Sequence, residues 1–388
     1  MSKYEKNFIA FCEKNMGYIF VAIMTIIGVY VRSIMLPFMT SDYTSFYLEW
    51  YNQLKECGGV WGLAEYTGDY SYAYAFLLSL VTYIPIPATI SIKLFYILFD
   101  FVGAIVAGAL ANKVYSGGMN TFAIVYSAVL LSPLVMLNSA HWGQCDFIYS
   151  SFVLLSIYLL VSKKYAWCFF VYGIAFSFKL QAMFIFPLFI LVYVLNKKFS
   201  ILHFAWIPVG FLASSLPGMM FSKKGLAGLL NIYFGQLQHG ELLALNYPNI
   251  YYWVSSEHYD MYSKAGILLM VTIFGFATFC LVKKKAYLTE NHIVALGMWC
   301  VLCVVYFCPK IHERYGFVAE ILSIIWVVGN KKWLWYPIIM GLTVLFSYFA
   351  VLYGYYLYNY QDMALVNIVT FIVFTMYLFS DIKAREEE

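Results

Sequence analysis

The acidic residues that follow the first apolar run could act as general bases. Asp42 comes directly after Ser41 at the start of a segment rich in Tyr and Trp, where it could also cap a helix. Glu49 lies seven residues later, a spacing that places two side chains on the same face of a helix. The segment therefore predicts Asp42 as a catalytic base or as a simple cap, with Glu49 and Asp69 as secondary acidic candidates.

A second group of polar residues, His-Trp-Gly-Gln-Cys-Asp at 141–146, precedes a long apolar run. Histidine, glutamine and aspartate at a helix start can hold a hydroxyl or a phosphate, because helix N-termini attract anions. An acid in the first turn of a helix is also favourable by itself. We therefore predict that His141, Gln144 and Asp146 bind substrate, and a capped helix start is the alternative.

Two basic groups could bind the phosphate of a lipid. Lys179 and Gln181 interrupt an otherwise continuous apolar stretch, and a lysine there needs a partner or a polar cavity unless it snorkels to the interface. Further along, His312, Glu313 and Arg314 form a dense charged cluster, in which Arg314 offers a planar fork suited to phosphate. The alternative for this cluster is a polar loop in which Glu313 pairs with Arg314.

The loop at 222–262 carries residue types that often contact sugars. We predict substrate contacts for Asn246 and Asn249, which lie in an Asn- and Tyr-rich stretch. The nearby His239, Gly240 and Glu241 are a weaker polar signal, because all of these are also ordinary loop residues.

Two polar features lie inside apolar runs. Asp100 is a candidate functional acid because carboxylates inside membranes are costly, and Lys93 lies seven residues earlier on the same predicted helix face. A structural contact within the bundle is the favoured interpretation. Cys300 and Cys303 form a CxxC, but no second pair accompanies it, so packing is expected rather than a zinc or redox site.

The composition places these groups in a membrane protein. Of the 388 residues, 63% are hydrophobic and 11% are charged, whereas about 25% are charged in a typical soluble domain. Apolar stretches of roughly 20 residues, enough to span a bilayer, recur along the chain. The net charge of +4 is small and dispersed, which argues against nucleic acid as a partner. We predict a single all-α integral membrane domain over residues 1–388.

The apolar runs predict a polytopic bundle of about 11–13 transmembrane helices. Residues 72–84 are expected not to span, and 165–195 is expected to be two short helices broken at Lys179. The predicted segments are a first helix at 17–36, a helical first outer loop with the catalytic Asp at 37–89, helices at 90–221, a second long outer loop at 222–262, and C-terminal helices at 263–388.

Basic residues decide the predicted orientation, because Lys and Arg collect on the cytoplasmic side of a membrane. In this topology both termini are cytoplasmic, and the candidate site residues and both long loops are extracytoplasmic. The basic residues then placed in the cytoplasm are Lys3, Lys6, Lys14, Lys113, Lys163, Lys164, Lys197, Lys198, Lys283, Lys284, Lys285, Lys331, Lys332, Lys383 and Arg385.

The ordered set of motifs resembles the GT-C superfamily of membrane glycosyltransferases. The branch it most resembles is that of bacterial proteins similar to the second mannosyltransferase of GPI-anchor assembly. The stretches that carry the resemblance are 41–43 with Trp50, 68–70 near Tyr74, 93–100, 138–146, 178–181 before Pro187, 246–251 and 312–315.

The resemblance implies a GT-C-like bundle and an inverting hexosyltransferase with a mannose-like sugar. The donor would be a polyprenyl-phosphate-linked sugar, and the acceptor a glycan or glycolipid at the outer face of the cell membrane, among membrane lipids. Asp42 matches the acid that activates the acceptor hydroxyl in this family. Lys179, His312 and Arg314 would then stabilise the leaving phosphate.

This sequence departs from the family in its first loop. Many members carry paired acids there, whereas Asp42 is followed by Tyr43. No cofactor is therefore certain, and a divalent metal stays possible, although a lone carboxylate makes a poor site for one. A polyprenyl-linked polysaccharide polymerase and a lipid-glycan flippase or transporter are the alternative functions.

Overall fold

The computed structural model describes residues 1–238 and 242–384, and these residues form an all-α polytopic membrane protein. Its only strands are the two-residue segments β1 (Ala244–Leu245) and β2 (Ile311–His312), which pair in parallel within the described residues. The α-helices are α1 Lys3–Lys14, α2 Met16–Met35, α3 Leu48–Glu56, α4 Tyr72–Val81, α5 Ala88–Tyr115, α6 Gly118–Leu130, α7 Pro133–Met136, α8 Asp146–Val161, α9 Tyr165–Phe178, α10 Phe186–Asn196, α11 Trp206–Ser222, α12 Gly225–Gln238, α13 Tyr259–Lys283, α14 Glu290–Phe307, α15 Phe317–Val327, α16 Trp335–Tyr353 and α17 Tyr360–Asp381.

Seven helices in the described part are long and apolar enough to cross a membrane: α2, α5, α11, α13, α14, α16 and α17. The count is eight if α6 and the segment Pro133–Trp142, bent by 49°, form one span. Our expected 11–13 spans also counted shorter apolar helices of 10–17 residues. At 1.5 Å per residue these are shorter than the roughly 30 Å hydrocarbon layer, so the sequence overestimated the number of full spans.

Two local predictions are confirmed. Helix α4 has ten residues, too few to span, and lies with α3 in the helical segment between α2 and α5. That this segment is an outer loop stays a prediction. The chain also breaks at Lys179, whose backbone is extended (φ −153°, ψ 135°) between α9 and the 3-10 turn Leu180–Ile185. Helix α10 then restarts with a proline in its first turn, a position where no intrahelical donor is lost.

Helix α14 forms the centre of the bundle. Most of its length is buried, and it packs against α10, α13, α15 and α17. Helices α2 and α13, in contrast, expose large apolar side chains along most of their length. An exposed apolar surface of this kind is suited to lipid contact.

The loops with the clustered lysines meet at one end of the bundle. These are the loops at 113–118, 162–165, 196–200, 283–290 and 329–334, and we call this the Lys-rich end. The contacts that join them are Tyr115–Asn291 (2.8 Å), Asn196–Leu288 (2.8 Å), Asn291–Asn330 (3.2 Å), Lys284–Phe379 (3.1 Å) and the rings of Tyr165 and Phe199 (4.9 Å). That this end faces the cytoplasm stays a prediction.

Candidate functional site

Three of the predicted polar groups meet on the carboxylate of Asp146. This residue is the first of α8, and it is buried. Lys179 Nζ donates to its Oδ1, Asn138 Nδ2 donates to its Oδ2 at 2.9 Å, and Arg314 Nε lies 3.4 Å from Oδ2. The helix break at Lys179 and the loop before α15 therefore converge on the start of α8.

Glu313 completes this group, which we call the Asp146 cluster: Asp146, Lys179, Glu313 and Arg314. Arg314 Nη1 donates to Glu313 Oε1 at 2.8 Å, and His312 Nδ1 lies 3.9 Å from Glu313 Oε2. Burial raises the pKa of Glu313, but hydrogen bonding to His312 and the charge of Arg314 outweigh it and hold that pKa below its ordinary value. Glu313 is therefore an ionised partner of Arg314.

The Asp146 cluster balances its own charge, with two cations against two buried carboxylates. Lys179 and Asp146 bind each other and are nearly fully buried, so neither is poised as the first contact of a ligand. His312 is more accessible, since its side chain is 36% exposed. The Arg314 side chain is 12% exposed, close to the 9% of Lys179. The substrate contacts of Lys179 and Asp146 stay predictions.

Asp42 lies beside this cluster and is held in one orientation. Trp142 Nε1 and Gln144 Nε2 each donate to its Oδ2 at 3.2 Å. Gln144 in turn accepts from the hydroxyl of Tyr47 at 2.6 Å. Asp42 is only partly buried, and none of its described hydrogen bonds uses Oδ1. The carboxylate thus keeps one oxygen for a ligand.

The turn that connects Asp42's partners to α8 depends on Gly143. Its backbone is left-handed (φ 79°), and a Cβ there would lie 2.3 Å from Cδ2 of Tyr43. Only glycine fits both conditions. This turn follows the π-helix Leu137–Trp142 and sends the chain from Trp142 to Asp146.

Buried and partly buried tyrosines fill the space next to Asp42 and the Asp146 cluster. The hydroxyl groups of Tyr47 and Tyr70 are 2.8 Å apart, and Lys179 Nζ lies 5.5 Å from the centre of the Tyr70 ring. Burial raises the pKa of Tyr70, which keeps its phenol neutral. Trp50 packs against the Tyr47 and Tyr70 rings at 5.4 and 5.2 Å. These aromatic rings are therefore packed into the site.

His141, Lys93 and Asp100 have structural partners. His141 Nε2 is 2.6 Å from the hydroxyl of Tyr353, and its ring stacks on Phe38 at 3.7 Å. Lys93 Nζ donates to the backbone carbonyls of Phe38 and His141. The structural interpretation of Asp100 is confirmed, because Arg32 Nε donates to its Oδ2 at 2.8 Å.

Asn246 lies next to His312 of the site, whereas the side chain of Asn249 binds backbone groups away from it. Asn246 pairs with His312 through a backbone bridge next to β1 and β2. Asn249 is fully buried, where Nδ2 donates to the carbonyl of Val305 at 3.3 Å and Oδ1 accepts from the Tyr251 amide at 3.1 Å. Its amide therefore holds the loop, which argues against the predicted substrate contact. His239, Gly240 and Glu241 lie outside the described residues.

The secondary acids are not brought to Asp42 by any described contact. Glu49 is exposed, and the π-helix Tyr43–Tyr47 between it and Asp42 changes the helical register, so the predicted shared face is wrong. Asp69 is also exposed, and its carbonyl accepts from Gln236 Nε2 at 2.6 Å. Gln181 lies two residues beyond Lys179, in the first turn of the 3-10 helix, with a side-chain oxygen that is buried without a described partner.

Sequence reasoning missed Trp142 and Tyr47 as the groups that orient Asp42. Within the described residues, no three or more His, Cys, Asp or Glu side chains group together in a way that could hold a metal ion. Comparison with known protein families and with curated proteins finds no match. The glycosyltransferase resemblance is therefore carried by the residues themselves.

Proposed function

We propose that the protein is an inverting glycosyltransferase at the extracytoplasmic face of the membrane. It would move a hexose, mannose-like by resemblance, from a polyprenyl phosphate to a glycan or glycolipid acceptor. The observation that carries this proposal is the partly exposed Asp42, fixed through one oxygen by Trp142 and Gln144 and lying next to the Asp146 cluster.

The reaction needs one base and one stabilised leaving group. Oδ1 of Asp42 takes the proton of the acceptor hydroxyl, whose oxygen then bonds to the anomeric carbon of the donor sugar. The bond from that carbon to the phosphate oxygen breaks, and the phosphate leaves with the electron pair. Attack from the face opposite the leaving phosphate inverts the anomeric centre.

Arg314 and His312 are suited to receive the charge that develops on the phosphate. The described contacts of Arg314 to Asp146 and Glu313 use Nε and Nη1, so the planar guanidinium keeps further donors. Asp146 and Glu313 hold this fork in place before the substrate arrives, which is how a preorganised site lowers a barrier. Lys179 binds Asp146 and so compensates the buried carboxylate that holds Arg314.

Trp142 contacts both Asp42, the proposed base, and Arg314, the proposed phosphate-binding cation. Its Nε1 donates to Asp42, and the Arg314 guanidinium lies 5.5 Å from the centre of its ring. The base and the phosphate-binding group thus lie at two sides of one indole. A sugar between an acceptor at Asp42 and a phosphate at Arg314 fits this arrangement.

The test is transfer by the purified protein in detergent, with polyprenyl-phosphate hexoses as donors and cell-surface glycans as acceptors. Asp42→Asn keeps an oxygen for the two donors but removes the base, so we expect transfer to fall at least about 100-fold. Glu49→Gln is the matched control, because it removes an exposed acid seven residues away, and it should keep wild-type activity.

Full transfer by Asp42→Asn would refute Asp42 as the base. Specific binding of a pyrophosphate-linked glycan by the wild type, with no transfer from any monophosphate donor, would instead support the polymerase or flippase. Thermal melts of all samples separate loss of chemistry from loss of folding.

A further inference from the structure

Helix α1 is amphipathic, and none of its residues is buried in the described structure. Tyr4, Phe8 and Phe11 follow one another at spacings of four and three residues, so their rings share one face of the helix. These side chains are 87%, 67% and 59% exposed. Three aromatic rings on one exposed face are costly in water, so this face requires an apolar partner.

The ends of α1 are capped independently of α2. Ser2 and Glu5 form a capping box at its start. At its end the backbone leaves the helical conformation at Asn15 (φ −109°, ψ 15°), whose side-chain amide donates to the carbonyl of Phe11 at 2.8 Å. A separate helix of 12 residues is only marginally stable in water without packing contacts. A surface outside the described bundle therefore has to stabilise α1.

The position of α1 indicates which surface this is. The spanning helix α2 begins at Met16, directly after Asn15. A Cβ on Gly17 would lie 2.7 Å from Cγ of Met119, so the first turn of α2 packs beside the first turn of α6, which follows the Lys-rich loop at 113–118. The C-terminal end of α1 therefore lies at the Lys-rich end, where α2 enters the bilayer.

The charges around α1 favour an anionic partner. Lys3, Lys6 and Lys14 are exposed and project from the side of the helix away from the aromatic rings. The five loops of the Lys-rich end carry ten lysines and a single acid, Glu290. Cations collected at the level of a membrane surface attract anionic headgroups.

We propose that α1 lies in the membrane interface at the Lys-rich end and binds anionic phospholipids. Its aromatic face enters the boundary between headgroups and acyl chains, as amphipathic helices of this type do. Its lysines extend along their apolar stems to the lipid phosphates. This inference concerns α1 alone and does not rest on the proposed function.

The test is hydrogen exchange of the backbone amides of residues 3–14, measured by mass spectrometry on the full-length protein in nanodiscs. One set of nanodiscs contains phosphatidylcholine alone, and the other also contains phosphatidylglycerol with the same acyl chains. We expect these amides to exchange at least about tenfold more slowly with the anionic lipid, because each lysine near an anionic surface adds to the binding.

Variants separate the contribution of the rings from that of the charges. Serine and phenylalanine have similar intrinsic helix propensities, so Phe8→Ser and Phe11→Ser remove apolar contact without weakening the helix itself. Each should speed exchange in anionic nanodiscs at least about tenfold. Ala10→Ser places the same residue on the lysine side and is the control, with an expected change below about threefold. Lys6→Gln and Lys14→Gln should each lower the ratio between the two lipids about fivefold.

Rapid exchange in both kinds of nanodisc, or equal exchange in wild type and Phe8→Ser, would overturn the insertion of α1. Equal protection by the two lipids would overturn the contacts to anionic phosphate. Protection in nanodiscs that hold two copies of the chain, but not in those that hold one, would assign the aromatic face to a second copy instead.

Discussion

Removal of the Asp146 carboxylate tests whether the cluster is a set of mutually dependent buried charges. Asp146→Asn leaves Lys179 and Arg314 with only Glu313 as a counter-charge. Breaking a buried ion pair from one side costs about 3–5 kcal/mol of unfolding free energy, because a charge stays buried without compensation. Lys179→Met should cost less, about 1–3 kcal/mol, since Asp146 keeps Asn138 and Arg314.

The double variant Asp146→Asn with Lys179→Met distinguishes coupled charges from independent ones. If Lys179 and Asp146 act through each other, then adding Lys179→Met to Asp146→Asn removes the stranded cation, and the two costs are far from additive. We expect the double variant to be no less stable than Asp146→Asn alone. The two losses would instead sum if the residues were independent.

The assay is unfolding in mixed micelles, followed by the fluorescence of the 10 tryptophans. Lys264→Met, which removes an exposed lysine on α13, is the control and should change stability by less than about 0.5 kcal/mol. A loss below about 1 kcal/mol in Asp146→Asn, or simple additivity in the double variant, would refute the coupled cluster.

Two further predictions concern the neighbours of these residues. Gln144→Leu removes one of the two donors to Asp42, and we expect transfer by the purified enzyme to fall about tenfold with a smaller change in donor KM, because the base loses its orientation. The pKa of Glu313 is lower in the folded protein than its ordinary value of 4.5, so its stabilisation is full above that value and is lost as the pH falls through the lower folded pKa. Glu313→Gln should remove this part of the acid dependence in unfolding curves measured from pH 7 to 3, and an unchanged curve would contradict it.

The sequence was informative wherever one residue was costly in its surroundings. Lys179 in an apolar stretch predicted a break, and the helix does break there, because an ammonium group in hydrocarbon needs a polar partner. Its partner Asp146 could be named as a site residue from the helix start it occupies, but their pairing joins positions 33 residues apart. Local pattern carries no information on such a contact.

The failures have specific physical causes. The shared face of Asp42 and Glu49 assumed α-helical periodicity, and the π-helix between them breaks that assumption. Lys93 and Asp100 both lie on α5, but the partner of Asp100 is Arg32 on α2, a contact between helices that periodicity along one helix does not reveal. Glu320, a buried acid in the first turn of α15, was overlooked because one acid hardly lowers the mean hydropathy of the apolar stretch that forms this helix. An acid inside an apolar stretch was nevertheless a signal by itself.

Three of the apolar helices that are too short to be full spans also position the Asp146 cluster. Helices α8, α9 and α15 each have one end at the Lys-rich end of the bundle and the other next to the Asp146 cluster. With 16, 14 and 11 residues, they extend about 24, 21 and 17 Å, short of a hydrocarbon layer of roughly 30 Å. If the Lys-rich end lies at one membrane boundary, the cluster lies several ångströms below the other. A lipid-linked phosphate reaches that depth while its chain stays in the bilayer, which favours a lipid-carried donor over a soluble one.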